Sequence, residues 1–161
     1  MDKAPALMVL DTNIVLDLFV FADTRAVPLR AHLERGEVDW LATAEMRAEL
    51  ERVLAYAHIA SRLAFYAIDA AQVLGHFDRH ARLVPAPAKA PLTCRDPDDQ
   101  IFIDLAMRHR CLLLSKDNAV LSMRKRLLAH DVVAAAALPA KPPLQGPTPQ
   151  TAPREPSAST A

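Results

Sequence analysis

Leu7-Met8-Val9-Leu10-Asp11-Thr12-Asn13 sets four consecutive apolar residues directly before an acid, a hydroxyl and an amide. A short run without polar alternation reads as a strand covered on both faces, the habit of parallel sheets flanked by helices. A carboxylate at the carboxyl end of such a strand faces the crevice where open α/β sheets hold their ligands. The pattern returns at Cys111-Leu112-Leu113-Leu114-Ser115-Lys116-Asp117. Two strand ends that each deliver an aspartate predict a parallel sheet with an acidic crevice.

Outward from this stretch, helices and strands alternate. Ile14 to Phe19 predicts a first helix opening on the Asp11-Thr12-Asn13 turn, and Leu29 and Leu33 mark a second between Thr24 and Arg35, stopped by Gly36. Val38 to Ala42 reads as a strand. Thr43 then caps an amphipathic helix through Tyr56, with Met46, Leu50, Val53 and Leu54 on one face. A further helix is expected over about 67–81, followed by an extended connection from Leu83 to Pro91 with three prolines. Asp96-Pro97-Asp98-Asp99 starts a helix with Ile103, Ala106 and Met107 inside. Asn118 to Leu128 predicts another helix, and Asp131-Val132-Val133 a last strand. Strands alternating with helices give an α/β sandwich with a mostly parallel sheet.

The 161 residues fit one domain over 1–137, with a Pro/Ala/Ser/Thr-rich segment over 138–161. That segment holds seven of the 13 prolines and almost no large apolar residue, so its composition predicts disorder. Without it the chain carries 17 basic and 18 acidic residues, so a nucleic-acid contact needs a local patch and not bulk charge. Cys94 and Cys111 form no metal-binding spacing. The longest apolar stretches are seven residues, far below the ~20 of a membrane helix, and Asp11 interrupts any signal-peptide core. A reduced, cytoplasmic setting is expected.

Each acid has a plain reading beside the functional one. Asp11 can be a plain cap for the helix it precedes; against that, Asp11-Thr12-Asn13 groups a carboxylate to hold metal, a hydroxyl to cap and orient it, and an amide to hold a substrate or water. Glu49 can be a solvated helix residue, and Glu45, four residues earlier on the same face, is its rival. Asp96, Asp98 and Asp99 can complement the positive end of the next helix. Three acids in four residues exceed the needs of one cap, and the ordered set is more specific than any member. Carboxylates that converge repel one another unless a hard divalent cation lies between them, and oxygen-only ligation suits Mg²⁺ or Mn²⁺.

Val9-Leu10-Asp11-Thr12-Asn13, Glu49-Leu50, Arg95-Asp96-Pro97-Asp98-Asp99 with Ile103 to Ala106, and Leu114-Ser115-Lys116-Asp117 together resemble, in order and spacing, the four motifs of PIN-domain nucleases of bacterial toxin–antitoxin systems. The resemblance covers about residues 7–135. It implies a PIN-like three-layer α/β/α sandwich and a Mg²⁺- or Mn²⁺-dependent endoribonuclease. By the same resemblance Asp11, Glu49, Asp99 and Asp117 form the catalytic metal site, with Asp96 an additional acid. Thr12, Asn13 and Ser115 support them. RNA contacts are expected from Arg108, Arg110, Lys116, Arg124 and Lys125, with Arg126 beside them, although these cations can equally be a solvated helix face. An antitoxin protein and a homodimer are the partners the resemblance implies.

Two other readings compete. A haloacid-dehalogenase-type phosphatase needs an acid two residues after its nucleophile, where this chain has Asn13. A catalytically silent PIN-like module that binds RNA or a partner is the alternative to the nuclease; the presence of all four acids weighs against it.

Overall fold

In the computed structural model, which describes residues 4–139, five parallel strands form one sheet in the order β3-β2-β1-β4-β5. β1 (Ala6–Leu10) leads through α1 (Thr12–Phe19), a 3-10 turn (Thr24–Ala26) and α2 (Val27–Glu34) to β2 (Val38–Ala42). α3 (Ala44–Leu54), α4 (Ala57–Phe65) and α5 (Ala70–His80) carry the chain to β3 (Ala81–Leu83). A long connection and a 3-10 turn (Pro97–Asp99) precede α6 (Gln100–His109) and β4 (Leu112–Leu114). α7 (Asn118–Leu121), α8 (Arg124–Leu128) and β5 (Ala134–Ala135) complete the fold. The strand order first grows to one side of β1 and then jumps to the other. Right-handed crossovers therefore put α1–α5 on one face and α6–α8 on the opposite one, an α/β/α sandwich.

The core lies between these layers. Met8, Val9, Leu41, Leu113 and Leu114 are fully enclosed, and each such side chain contributes roughly 1.5–3 kcal/mol relative to exposure. Trp40 packs edge-on to Phe77, with centroids 5.1 Å apart, and ties β2 to α5. Leu7 departs from the uniformly buried run expected of β1. It pairs in register with Asp39, which takes an ion pair from Arg82 at 2.8 Å, so this corner of the sheet faces solvent.

Several boundaries differ from expectation, each for a local reason. Beyond the helix expected to run through Tyr56, an unexpected helix, α4, follows, because Tyr56 turns extended (φ −64°, ψ 140°) and starts it. The helix expected to reach Ala81 ends at His80, and Ala81–Leu83 pairs with the edge of β2. The predicted helix over Asn118 to Leu128 splits at Ser122-Met123, where the Ser122 hydroxyl donates back to the Ala119 carbonyl. The last strand is Ala134–Ala135 and not 131–133, because Asp131 sits in the left-handed region (φ 66°), which no strand accommodates. Of the proline-rich segment, Leu138 is partly buried against the core, and residues 140–161 lie outside the described residues. No helix among the described residues is long and apolar enough to cross a membrane.

Candidate metal centre

The strand order reverses between β1 and β4, and the carboxyl ends of these two neighbours carry Asp11 and Ser115-Lys116-Asp117. That reversal opens a crevice in which neither strand end is covered by its own crossover helix. The two turns are stitched together. The Asp11 N–H donates to Leu114 O at 2.9 Å, and the Ser115 hydroxyl donates to Asp11 Oδ2 at 2.5 Å. Ser115 Oγ in turn accepts the Asp117 N–H at 3.0 Å, so one fully buried hydroxyl orients both acids. Asn13 Oδ1 accepts the Lys116 N–H at 3.3 Å, which gives the amide a role inside the loop.

From the opposite layer, Asp99 enters at the junction of its 3-10 turn with α6. Asp11, Asp99 and Asp117 each offer a carboxylate oxygen within 4.8 Å of the others. Their capping duties separate them. Asp117 accepts the Ala119 N–H at 2.9 Å and caps α7, and Asp96 accepts the Asp98 N–H at 3.0 Å and caps the 3-10 turn. Asp11 and Asp99 precede helices without making a capping bond. Their carboxylates are not spent on helix ends, and Asp99 Oδ2 is buried with no hydrogen-bond partner among the described residues.

The electrostatics follow from that crowding. Burial pushes the Asp99 pKa up to about 8, with Asp117 in hydrogen-bonding reach and the charge of Asp11 adding to it. Burial also raises Asp11, against the Ser115 hydrogen bond. Glu49 stands outside the trio. Its pKa is raised by partial burial and then by the charge of Asp11, partly offset by Arg52 and the neighbouring Thr12 hydroxyl, with Asp98 a further like charge, so it borders the crevice on the α3 side. Glu45, its rival, lies exposed in the first turn of α3.

The expected cations do not gather here as a group. Lys116 Nζ is engaged by buried Asp17 at 2.6 Å. Arg108 and Arg110 sit at the far end of α6, roughly 15 Å from Asp99 by the helix rise. Arg124, Lys125 and Arg126 are exposed on α8. Asp17 has no place in the motif pattern, although a signal exists: an acid inside Ile14-Val15-Leu16-Asp17-Leu18-Phe19, buried on every side, requires a charged partner. Cys94 carries no such signal in its spacing. It is buried near Asp96, Asp99 and Asp117, and burial raises its thiol pKa, so it stays a protonated wall of the crevice.

The donor set is wholly carboxylate, and two oxygens on opposite sides of a divalent ion lie about 4.0–5.2 Å apart at ordinary Mg²⁺ or Ca²⁺ bond lengths. The oxygen separations and the orphaned Asp99 oxygen both fit such an ion. A doubly flanked parallel sheet with converging acids at its switch point defines an α/β protein with a candidate cation site. Residues 8–119 match the PIN domain, and the chain belongs to the PIN-domain family, whose members are generally nucleases. No curated protein matches the chain.

Proposed function

We propose that this protein is a divalent-metal-dependent endoribonuclease and the toxin component of a toxin–antitoxin pair. The observation that carries the reading is the trio of Asp11, Asp99 and Asp117, drawn from three separate elements and left with a buried, unpartnered oxygen. A divalent ion held there would supply Lewis-acid activation of a water and would offset charge on the leaving oxygen. Asp11, Asp99 and Asp117 would hold it, with Ser115 fixing the angle of Asp11. Asp96, occupied as a cap, adds negative potential beside them. Glu49, outside the trio but close enough to feel the charge of Asp11, is the group able to accept the water's proton. Mg²⁺ and Mn²⁺ suit the oxygen-only donors equally.

RNA as substrate and the toxin role rest on the ordered resemblance of the four motifs. A basic side chain of an antitoxin is the natural occluder of such an acidic crevice, and a homodimer is the expected assembly. Mixed RNA incubated with Mg²⁺ should be cleaved, and EDTA should stop it; a single-stranded DNA arm run in parallel tests the substrate class. Asp117→Asn should abolish cleavage with far-UV circular dichroism unchanged, because asparagine caps a helix about as well as aspartate. Expression should arrest growth, and the Asp117→Asn form should not. Cleavage that persists in EDTA would sink the metal-dependent reading.

A further inference from the structure

A second concave site opens at the far end of α6, away from the carboxylates. The segment 87–91, the last turns of α6 and the turn before β5 enclose a cleft of about 480 Å³. Lys89, Arg108, Arg110 and His130 line it together with Asp104 and Asp131. The acids offset the cations only in part, leaving Lys89, Arg108 and Arg110 against two carboxylates. Asp104 Oδ1 is taken by the Ala90 N–H and the Gln100 amide, both at 2.8 Å. Lys89 Nζ is held by neutral groups, the Ala90 carbonyl at 2.9 Å and the Thr93 hydroxyl at 2.7 Å. Arg110 and Asp131 approach only to 3.9 Å, and both are largely exposed, a weak pairing. Among the described residues, neither Lys89 nor Arg108 makes an ion pair.

The backbone at Arg110 allows a clean test of its side chain. Arg110 occupies the left-handed region at φ 51°, directly after α6, where glycine is the unstrained choice. Keeping an arginine there costs stability, and the fold's packing does not need its exposed side chain.

We propose that this cleft binds the phosphate backbone of a nucleic-acid strand, through Arg108, Arg110 and Lys89, and so seats the substrate at a distance from the carboxylates. It rests on the nuclease reading for the identity of the strand. The roughly 15 Å along α6 between Asp99 and Arg110 matches about four to five stacked nucleotides. Arginines suit phosphate through bidentate contact, and a lysine oriented by neutral groups keeps its full charge for the ligand.

The test uses the full chain in EDTA and the fluorescence anisotropy of a labelled oligouridylate long enough to span both sites. Arg108→Ala and Arg110→Gly should each weaken binding about fivefold to tenfold, and lower the salt slope by about 0.7 for each phosphate no longer neutralised. Arg110→Gly should at the same time raise the melting temperature, because glycine removes the strain. Weaker binding in a more stable protein cannot come from damaged folding. Arg79→Ala, an exposed cation on α5, serves as the control and should leave affinity unchanged.

Unchanged affinity in both cleft variants would overturn the proposal, and so would a loss no larger than that of Arg79→Ala. Uridine monophosphate competing as well as the oligonucleotide, phosphate for phosphate, would overturn strand seating. Cleft-dependent binding without any cleavage in Mg²⁺ would leave the cleft standing and remove the nuclease reading. Intact cleavage with unchanged affinity would do the reverse.

Discussion

Asp99 combines burial, two neighbouring acids and an oxygen without a partner, a state that only a proton or a cation relieves. Its folded-state pKa is raised from the ordinary 3.8 to about 8, so the metal-free fold binds a proton that the unfolded chain has released. The linked stability is full below about pH 4 and is lost as pH rises toward 8. Measured against Asp99→Asn, the parent's melting temperature in EDTA should fall across that window, and excess Mg²⁺ should flatten the fall, because ligands bind metal only when deprotonated. Asp99→Asn removes the repulsion and should melt at the same or a higher temperature than the parent in EDTA. With Mg²⁺ the order should narrow or reverse, since the parent gains roughly 2.7 kcal/mol at a hundredfold excess over its dissociation constant. A purely capping Asp99 would instead lose about 1 kcal/mol on replacement in either condition. Ser115→Ala should cost about 1–3 kcal/mol in denaturant unfolding, because it strands two hydrogen bonds in a fully buried place.

Between elements, the Lys116–Asp17 pair fastens the loop after β4 to α1. Asp17 is enclosed and Lys116 about a third exposed, so removing the lysine leaves a buried charge in partial contact with water. Lys116→Ala should therefore destabilise by roughly 2 kcal/mol, less than a fully enclosed pair would lose. Lys116→Met with Asp17→Leu should cost less than the two single changes summed, which a double-mutant cycle in urea reads directly. Legibility at this scale divides by the kind of signal. β2, the Thr43 cap and the Gly36 stop were readable because side-chain chemistry marks them: Thr43 accepts the Met46 N–H, and Gly36 takes a positive φ. α4 was not, since its start at Tyr56 carries no side-chain capping bond to mark it. β3 is three residues long and exists only because β2 offers an edge, information that lies about 40 residues away in the chain.

At the level of the whole molecule, uninterrupted apolar runs ending in acids made the parallel sheet legible. The strand order, and with it the switch point between β1 and β4, was not, because crossover direction leaves no local mark. For the same reason Asp11, Asp99 and Asp117 could be nominated from motifs, whereas the separation of Glu49 from them required the fold. On composition, truncation after Pro139 should leave the melting temperature unchanged. Ending the chain at Ala137 also removes Leu138, which packs on the core, and should lower it measurably. A fall as large with the longer chain would show that residues beyond 139 contribute to the fold.

The central claim, one metal centre built from three carboxylates, is tested most directly by calorimetric titration of Mn²⁺ into the parent and into Asp11→Asn, Asp99→Asn and Asp117→Asn. The parent should bind with proton release into the buffer, and each variant should lose affinity at least about tenfold while keeping its far-UV spectrum. Parent-like Mn²⁺ affinity in all three variants would contradict it.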